Sequence, residues 1–305
     1  MKRNTLLLIG LALMGTVGFA QTVDIESETY RFSIRTGSPG NETRPSDVDV
    51  NIPKSKAQNN DKTFVVIFAN EDYQKEEVVP YALHDGEVFK LYCERTLGIP
   101  EKNIHLETNA TLNNMKHEIL WLKNTLVAFN GEAKGIVYYS GHGIPDESSH
   151  NAYLLPVDGY ATDPESGYSL DRLYADLGNV NSKSVTYFID ACFSGSNRSG
   201  TMLAESRGAA VKSKAGALKG NAVAFSAAQG DETAYVYQDK AHGMFTYFLL
   251  KKLQETKGEV SYGELADYIS DKVTKMSIVE NSKMQRPTAT ASMSMTDSWR
   301  KCKLK

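Results

Sequence analysis

The chain has 305 residues, of which 41% are hydrophobic and 23% charged, as in an ordinary globular protein that can bury a sizeable core. Its formal net charge of −3 gives no basic footprint, so we expect no nucleic-acid partner. The three cysteines are too few for a disulfide framework, and no Cys/His spacing indicates a zinc site.

The first twenty residues have the layout of a cleavable secretory signal. A basic start, Met1-Lys2-Arg3, precedes an apolar run from Leu6 to Val17, and small residues follow at positions 18 and 20. The run is short for a membrane span. We therefore expect residues 1–20 to be removed and the mature protein to be exported, periplasmic or secreted, without stable membrane insertion. An uncleaved anchor is the alternative.

Residues 21–60 are interpreted as an N-terminal extension. The stretches at 36–41 and 53–60 are rich in turn formers and poor in periodic apolar positions, which indicates weak structure. Val23 to Ile34 has the pattern of a strand. The segment is either a linker or a removable pro-segment.

From residue 61 to residue 305, buried strands alternate with amphipathic helices. Strands are predicted at 63–69, 103–106, 135–140, 151–158, 184–190 and 222–227, and helices at 80–97, 111–129, 169–177, 244–253 and 262–276. Continuous apolar runs are typical of strands that are buried on both faces. The alternation predicts an α/β fold with a mostly parallel sheet covered by helices on both faces.

Two of these strands end in residues that can do chemistry. Tyr-Ser-Gly-His-Gly ends one strand at residues 139–143, and Asp-Ala-Cys-Phe-Ser-Gly ends another at residues 190–195. Ligands of an open parallel sheet bind at the carboxyl ends of its strands, so neighbouring strands would bring His142 and Cys192 into one crevice. A thiol is a good nucleophile, and an imidazole can take its proton or protonate a leaving amine. The pair predicts a cysteine-nucleophile hydrolase.

Together these motifs resemble those of the caspase-like peptidases, above all the metacaspases and their bacterial relatives. The resemblance runs from Lys62 to Met293, with weaker matches at residues 151–158, 225–234, 243–248 and 285–288. It implies a three-layer caspase-like α/β fold with a central sheet of about six strands. It also implies a cysteine endopeptidase that acts on protein or peptide substrates and requires no cofactor.

The resemblance assigns a role to each residue of the site. Cys192 is the nucleophile and His142 the general acid/base, and the backbone amides of Gly143 and Cys192 form the oxyanion hole. The reaction passes through an acyl-enzyme. True caspases have Gln-Ala-Cys at the nucleophile, whereas this chain has Asp-Ala-Cys at residues 190–192, which argues against cleavage after Asp.

Asp190 lies two positions before Cys192 and therefore on the same side of the strand. In metacaspases the matching Asp lines the primary specificity pocket and selects Arg or Lys. Asp85 resembles a second pocket acid of that family. Because buried carboxylates favour bidentate recognition of a guanidinium group, the resemblance implies cleavage after Arg or Lys. The alternative is an Asp190 that only accepts backbone hydrogen bonds at the strand end.

A Gly/Ser/Ala-rich segment at residues 196–220 follows the nucleophile and has the sequence of a surface loop. An enzyme specific for basic residues could cut itself there, or before the core at Lys54 or Lys56. The candidate positions in the segment are Arg198, Arg207, Lys212, Lys214 and Lys219. An unprocessed loop is the alternative.

Metal binding has no signature in the sequence. Some metacaspases need calcium, but acidic residues such as Asp163, Glu165, Asp231 and Glu232 show no calcium-loop spacing, so calcium stays open. The remaining histidines also lack ligand spacing, and we expect surface or capping positions for them: His84, His105, His117, His150 and His242. No metal site is predicted.

Two other functions stay open. A clostripain-like, basic-specific peptidase of the same broad clan would differ in strand order or lose a linker peptide on cleavage. A catalytically inactive caspase-like fold would serve as a binding module.

Overall fold

A computed structural model describes residues 24–27, 30–33, 45–55, 60–146, 151–193, 217–229 and 232–305. The chain divides into two units, Met1–Arg44 and Pro45–Lys305. In the first unit, β1 (Asp24–Ser27) and β2 (Tyr30–Ser33) form an antiparallel pair. Among the helices that the structure describes, none is both long and apolar enough to cross a membrane.

The larger unit alternates strands and helices along the chain. Its strands are β3 (Thr63–Ala69), β4 (Ile104–Thr108), β5 (Lys134–Ser140), β6 (Gly143–Pro145), β7 (Ala152–Leu154), β8 (Tyr168–Ser169), β9 (Ser184–Asp190), β10 (Ala222–Ser226), β11 (Val236–Tyr237), β12 (His242–Gly243) and β13 (Thr288–Ala291). Its helices are α1 (Ala82–Leu91), continued by a π-helical turn at Tyr92–Thr96, α2 (Leu112–Ala128), α3 (Leu170–Gly178), α4 (Met244–Thr256) and α5 (Tyr262–Asn281).

A six-stranded sheet with the order β13-β10-β9-β5-β3-β4 lies at the centre of this unit. All neighbouring strands are parallel except the edge strand β13, which is antiparallel to β10. Every residue of β3 is buried, as its unbroken apolar sequence predicts. The predicted α/β fold with a mostly parallel sheet of about six strands is confirmed.

Successive side chains of each strand point to opposite faces of the sheet. On one face, Phe64 and Tyr187 pack in a single cluster with Met115 of α2 and Leu173 of α3. On the other face, Phe89 of α1 stacks on Tyr138 at 4.4 Å, and Tyr262 of α5 meets Phe225 edge-on at 5.7 Å. The sheet is therefore the middle of three layers.

The strand predicted at residues 151–158 is shorter than expected and lies outside the central sheet. Only Ala152–Leu154 is extended, in a small antiparallel sheet with β6 and β8. Pro156 lacks a backbone N–H for a ladder, and its carbonyl instead accepts a turn hydrogen bond from Gly159 at 3.0 Å. Because β6 begins directly after His142, this small sheet stands beside the candidate site.

Residues 45–55, the anchor segment, have no regular secondary structure but are packed against the larger unit. Val48 is fully buried, and its carbonyl accepts a hydrogen bond from the Tyr92 hydroxyl at 2.8 Å. Asp47 pairs with Lys251 at 2.8 Å, and Gln254 donates to the Asp47 carbonyl at 2.9 Å. The sequence predicted weak structure for this segment. The contacts that order it join residues about 44 to 207 positions apart, so they leave no local pattern in the sequence.

Candidate active site

The two predicted reactive motifs meet at the carboxyl edge of the sheet. Ser140, the last residue of β5, pairs in register with Asp190, the last residue of β9. The Gly141 amide then donates to the Asp190 carbonyl at 3.3 Å. The two strands are thus neighbours in the sheet, which is the condition for a shared crevice. His142 and Cys192 follow directly and are only 2% and 3% exposed.

His142 is held by groups from two segments, the loop between β3 and α1 and strand β5. Its Nε2 lies 2.7 Å from the Glu77 carbonyl oxygen, which can only accept, so Nε2 carries the hydrogen and the neutral ring has its lone pair on Nδ1. The Tyr73 hydroxyl accepts from the His142 amide at 2.8 Å, and the Tyr73 ring packs 4.7 Å from the imidazole. The Tyr139 hydroxyl donates to the His142 carbonyl at 2.6 Å. Both the tautomer and the orientation of the ring are thereby fixed.

The Cys192 sulfur lies against the turn after β10. The Ala234 amide donates to Sγ at 2.7 Å, and the thiol can donate to the Ala234 carbonyl at 3.5 Å, so this turn holds the sulfur in place. Gln285, which is fully buried, fixes this turn because its side chain accepts from the Tyr235 amide and donates to the Ala227 carbonyl, both at 2.9 Å. From the sequence alone, Gln285 was assigned only to the approach to the last strand. Its role in holding the turn beside Cys192 was missed.

Gly143 closes the space between the two loops. A Cβ built on it would lie 2.5 Å from the Cys192 carbonyl oxygen and 2.6 Å from the ring of Phe193. Such separations are well inside van der Waals contact. Only a residue without a side chain fits here, and the two residues whose amides were predicted to hold an oxyanion therefore lie side by side.

The two predicted pocket acids lie at the N-terminal end of α4. Asp190 and Asp85 are both fully buried. The Asp190 carboxylate accepts from the Thr246 hydroxyl at 2.6 Å and from the Thr246 amide at 3.3 Å. The Asp85 carboxylate accepts from the Gly243 amide at 3.1 Å and from the Ser140 hydroxyl at 3.2 Å. Backbone N–H groups and the dipole at a helix N-terminus stabilise anions. The ionised forms of both carboxylates are therefore stabilised at this edge of the sheet.

A family model of the caspase domain matches residues 62–297. The chain belongs to the caspase-domain family. Its structure is similar to the crystal structure of caspase-1 from Spodoptera frugiperda, with a TM-score of 0.53 and 17% identity over 82% of this chain and 94% of that one. It is also similar to a protein from Geobacter sulfurreducens, with a TM-score of 0.57 and 18% identity over 79% and 97% of the two chains. No curated protein sequence matches. The chain therefore carries a domain of the cysteine peptidase class.

His242 is buried in this caspase domain and pairs with two carboxylates. The expectation of a surface or capping position for it was wrong. It is fully buried, with Nδ1 2.8 Å from Asp85 and Nε2 2.9 Å from Asp49. Burial alone would lower the pKa of His242, but the hydrogen bonds and charges of the two carboxylates outweigh burial and raise the pKa to about 9. His84 stacks on the His242 ring at 4.7 Å and is also largely buried. Sequence spacing could not reveal the cluster, since Asp49 and His242 are 193 positions apart.

The three cysteines differ in their surroundings. All of them are free thiols. Cys93 is fully buried beside α1, and burial raises its pKa well above the usual value, which makes it unreactive. Cys302 is partly exposed near the C-terminus. Cys192 differs from both, because it follows a central strand and has a backbone donor directed at its sulfur.

The predicted self-cleavage positions are only partly described. Lys54 and Lys219 are exposed. The other candidates, Lys56, Arg198, Arg207, Lys212 and Lys214, lie outside the described residues, as do His150 and Asp231. Asp163 caps a short 3-10 helix by accepting from the Glu165 amide at 3.1 Å, and Glu232 pairs with Arg286 at 2.5 Å.

Proposed function

We propose that this caspase domain is an active cysteine endopeptidase that hydrolyses peptide bonds after Arg or Lys. The observation that carries the proposal is the buried carboxylate of Asp190, at the same edge of the sheet as His142 and Cys192; Asp85, the second predicted pocket acid, is paired with His242. A pocket with buried negative charge attracts a cationic side chain and repels an acidic one.

The proposed reaction follows from the arrangement around the imidazole. Nδ1 of His142 takes the proton of the Cys192 thiol, and the thiolate attacks the scissile carbonyl carbon. The amides of Gly143 and Cys192 donate to the oxyanion; a single donor of this kind contributes roughly 10²–10³-fold in rate. The imidazolium then protonates the leaving amine, and the C–N bond breaks to give a thioester.

The same groups act in reverse during hydrolysis. His142 takes a proton from water, the hydroxide attacks the thioester carbonyl, and the C–S bond breaks to release the acid and the thiolate. The Glu77 carbonyl supports both steps, because it holds the imidazole in one tautomer and favours the imidazolium that forms in each. These proposed reaction steps need no bound cofactor.

Selection of Arg or Lys depends on Asp190 in this proposal. Asp190 points to the same side of β9 as Cys192, so it lies near the side chain whose peptide bond is cut. Its carboxylate is already oriented by Thr246, and an oriented carboxylate binds a guanidinium group through paired charge-assisted hydrogen bonds. Lysine would bind the same carboxylate as a point charge.

The test uses peptides that differ only in the residue before the scissile bond: Arg, Lys, Asp or Leu. We expect turnover of the Arg and Lys peptides alone, its loss in Cys192→Ala, and loss of basic preference in Asp190→Asn. Equal turnover of the Arg and Asp peptides contradicts the specificity, and turnover by Cys192→Ala contradicts the nucleophile. Peptide binding without any turnover would support the inactive binding module. Assays with added Ca²⁺ and with chelator test the calcium requirement.

We further propose that the enzyme cuts its own chain after basic residues. Lys54 and Lys219 are supported by their exposure, and Arg198, Arg207, Lys212 and Lys214 by their sequence context. Intact-mass measurement of active protein and Cys192→Ala, incubated side by side, should show fragments only for the active protein. Identical masses after incubation would contradict self-cleavage.

We also propose export of the protein after removal of residues 1–20. The N-terminal sequence of the protein recovered outside the cytoplasm should begin near Gln21. A membrane-bound protein that begins at Met1 would support the uncleaved anchor instead.

A further inference from the structure

We propose that Asp49, His84 and His242 form a binding site for a divalent transition-metal ion, with Zn²⁺ as the best match. In the described part of the chain they are the one group of three or more His, Cys, Asp or Glu side chains whose potential ligand atoms all lie within 4.8 Å of one another. The proposal does not depend on the peptidase activity.

The geometry suits a metal ion with nitrogen and oxygen ligands. The Nε2 atoms of both histidines approach the same carboxylate, His242 at 2.9 Å from one Asp49 oxygen and His84 at 3.1 Å from the other. Zinc binds such ligands at about 2.0–2.2 Å, which separates them by about 3.3–3.6 Å in a tetrahedron. The two Asp49–histidine contacts would have to lengthen by a few tenths of an ångström to admit the ion, and the ligand atoms of all three residues already lie within 4.8 Å of one another.

Asp85 orients one of the proposed ligands. It lies 2.8 Å from Nδ1 of His242, on the far side of the ring from Asp49. A carboxylate behind a ligating histidine fixes the tautomer with hydrogen on Nδ1 and leaves Nε2 for the metal, an arrangement typical of zinc sites. Asp85 is itself held by Ser140 and by the Gly243 amide.

The charge of the cluster also favours a divalent cation. Asp49 and Asp85 are 7% and 0% exposed, and two buried carboxylates need compensating positive charge. Ligating histidines are neutral, so binding would displace the proton that His242 shares with Asp49, and one divalent ion would then balance both carboxylates. The His84 side chain is 12% exposed, which leaves an approach for water as a fourth ligand. Imidazole nitrogen suits zinc, copper and nickel, whereas calcium prefers an all-oxygen set.

The site joins three separate parts of the fold. Asp49 belongs to the anchor segment, His84 to α1 and His242 to β12. The anchor segment is positioned independently of the metal, because Asp47 pairs with Lys240 and Lys251 at 3.0 and 2.8 Å. A bound ion would therefore meet ligands that the fold already brings together.

The test is isothermal titration of the mature protein, dialysed against chelator, with ZnCl₂ and with CaCl₂. The Cys192→Ala background removes the catalytic thiol as a zinc ligand. We expect one Zn²⁺ per chain, no Ca²⁺ binding at this site, and visible ligand-field bands of a nitrogen/oxygen site when Co²⁺ replaces zinc. Absence of zinc binding in the Cys192→Ala protein overturns the proposal.

Substitutions assign the ligands. His84→Gln removes a partly exposed ligand while keeping a polar side chain, and His105→Gln is the matched control because His105 also pairs with a buried carboxylate, that of Glu118. We expect His84→Gln to weaken zinc binding at least about tenfold and Asp85→Asn, behind His242, to weaken it by about 10–100-fold. Unchanged affinity in both variants, each verified as folded by circular dichroism, overturns the proposal. His105→Gln should bind zinc as the parent does.

Discussion

Gly143→Ala places one methyl group at the junction of the two loops of the candidate site. Its Cβ would lie 2.5 Å from the Cys192 carbonyl oxygen and 2.6 Å from the Phe193 ring, whereas non-bonded heavy atoms prefer separations of about 3.5–4.0 Å. The loops must therefore move apart by about 1 Å. Gly143 does not have a positive φ, so the effect is one of space and not of backbone strain.

The displacement should reduce activity far more than stability. Overpacking costs about 1–3 kcal/mol in folding free energy, but a shift of about 1 Å between reacting groups costs about 10²-fold in rate. We expect kcat/KM for an Arg peptide to fall by at least that factor while the protein remains folded. The assay compares initial rates and thermal melts for the variant and the parent.

Gly135→Ala is the matched control. It lies on the same strand, β5, but far from the strand's carboxyl end, and its added Cβ would meet the side chains of Leu126 at 3.3 Å and Val185 at 3.6 Å. We expect its kcat/KM to equal that of the parent. If Gly143→Ala kept the parent's kcat/KM, the close approach of the two loops would have no part in the active site and the reasoning would be refuted.

Three further predictions concern separate parts of the site. Asp190→Asn keeps a hydrogen-bond acceptor for the helix but loses the charge, so kcat/KM for Arg peptides should fall by about 10–150-fold, the loss expected for a hydrogen bond to a charged group; an unchanged Arg-to-Leu preference would contradict this. Iodoacetamide should label Cys192 first and leave Cys93 unlabelled in the folded protein, because burial raises the pKa of Cys93; peptide mapping by mass spectrometry checks this, and fast labelling of Cys93 would contradict it. Gln285→Leu leaves two buried backbone groups without their partner, so the free energy of unfolding should fall by about 2–5 kcal/mol; a loss below about 1 kcal/mol in urea titration would count against that role.

The sequence predicted the scaffold of the site because its signals are local. Apolar runs at residues 63–69, 135–140 and 184–190 mark strands buried on both faces, and the observed β3, β5 and β9 match them to within one residue. Once the strands are parallel neighbours, the residues that follow them meet at one edge. The close approach of the His142 and Cys192 loops follows from that rule alone.

The surroundings of the site could not be predicted in the same way. His242 contacts Asp85 across 157 positions of sequence and Asp49 across 193, and no periodicity links such distant residues. The anchor segment resembled a linker because its order depends on side chains of α1 and α4 rather than on its own backbone. Gln285 has no reactive group, so only its buried partners reveal that it holds the turn beside Cys192.

Covalent labelling of the nucleophile shows whether Cys192 and Asp190 act as proposed. Two peptidyl probes with the same thiol-reactive carbonyl group, one ending in Arg and the other in Asp, are incubated with the mature protein, and the modified residue is located by mass spectrometry. We predict one label per chain on Cys192 from the Arg probe, little from the Asp probe, and none on Cys192→Ala. Equal labelling of Cys192 by both probes would contradict the basic specificity, and modification of a different residue would contradict the assignment of the nucleophile.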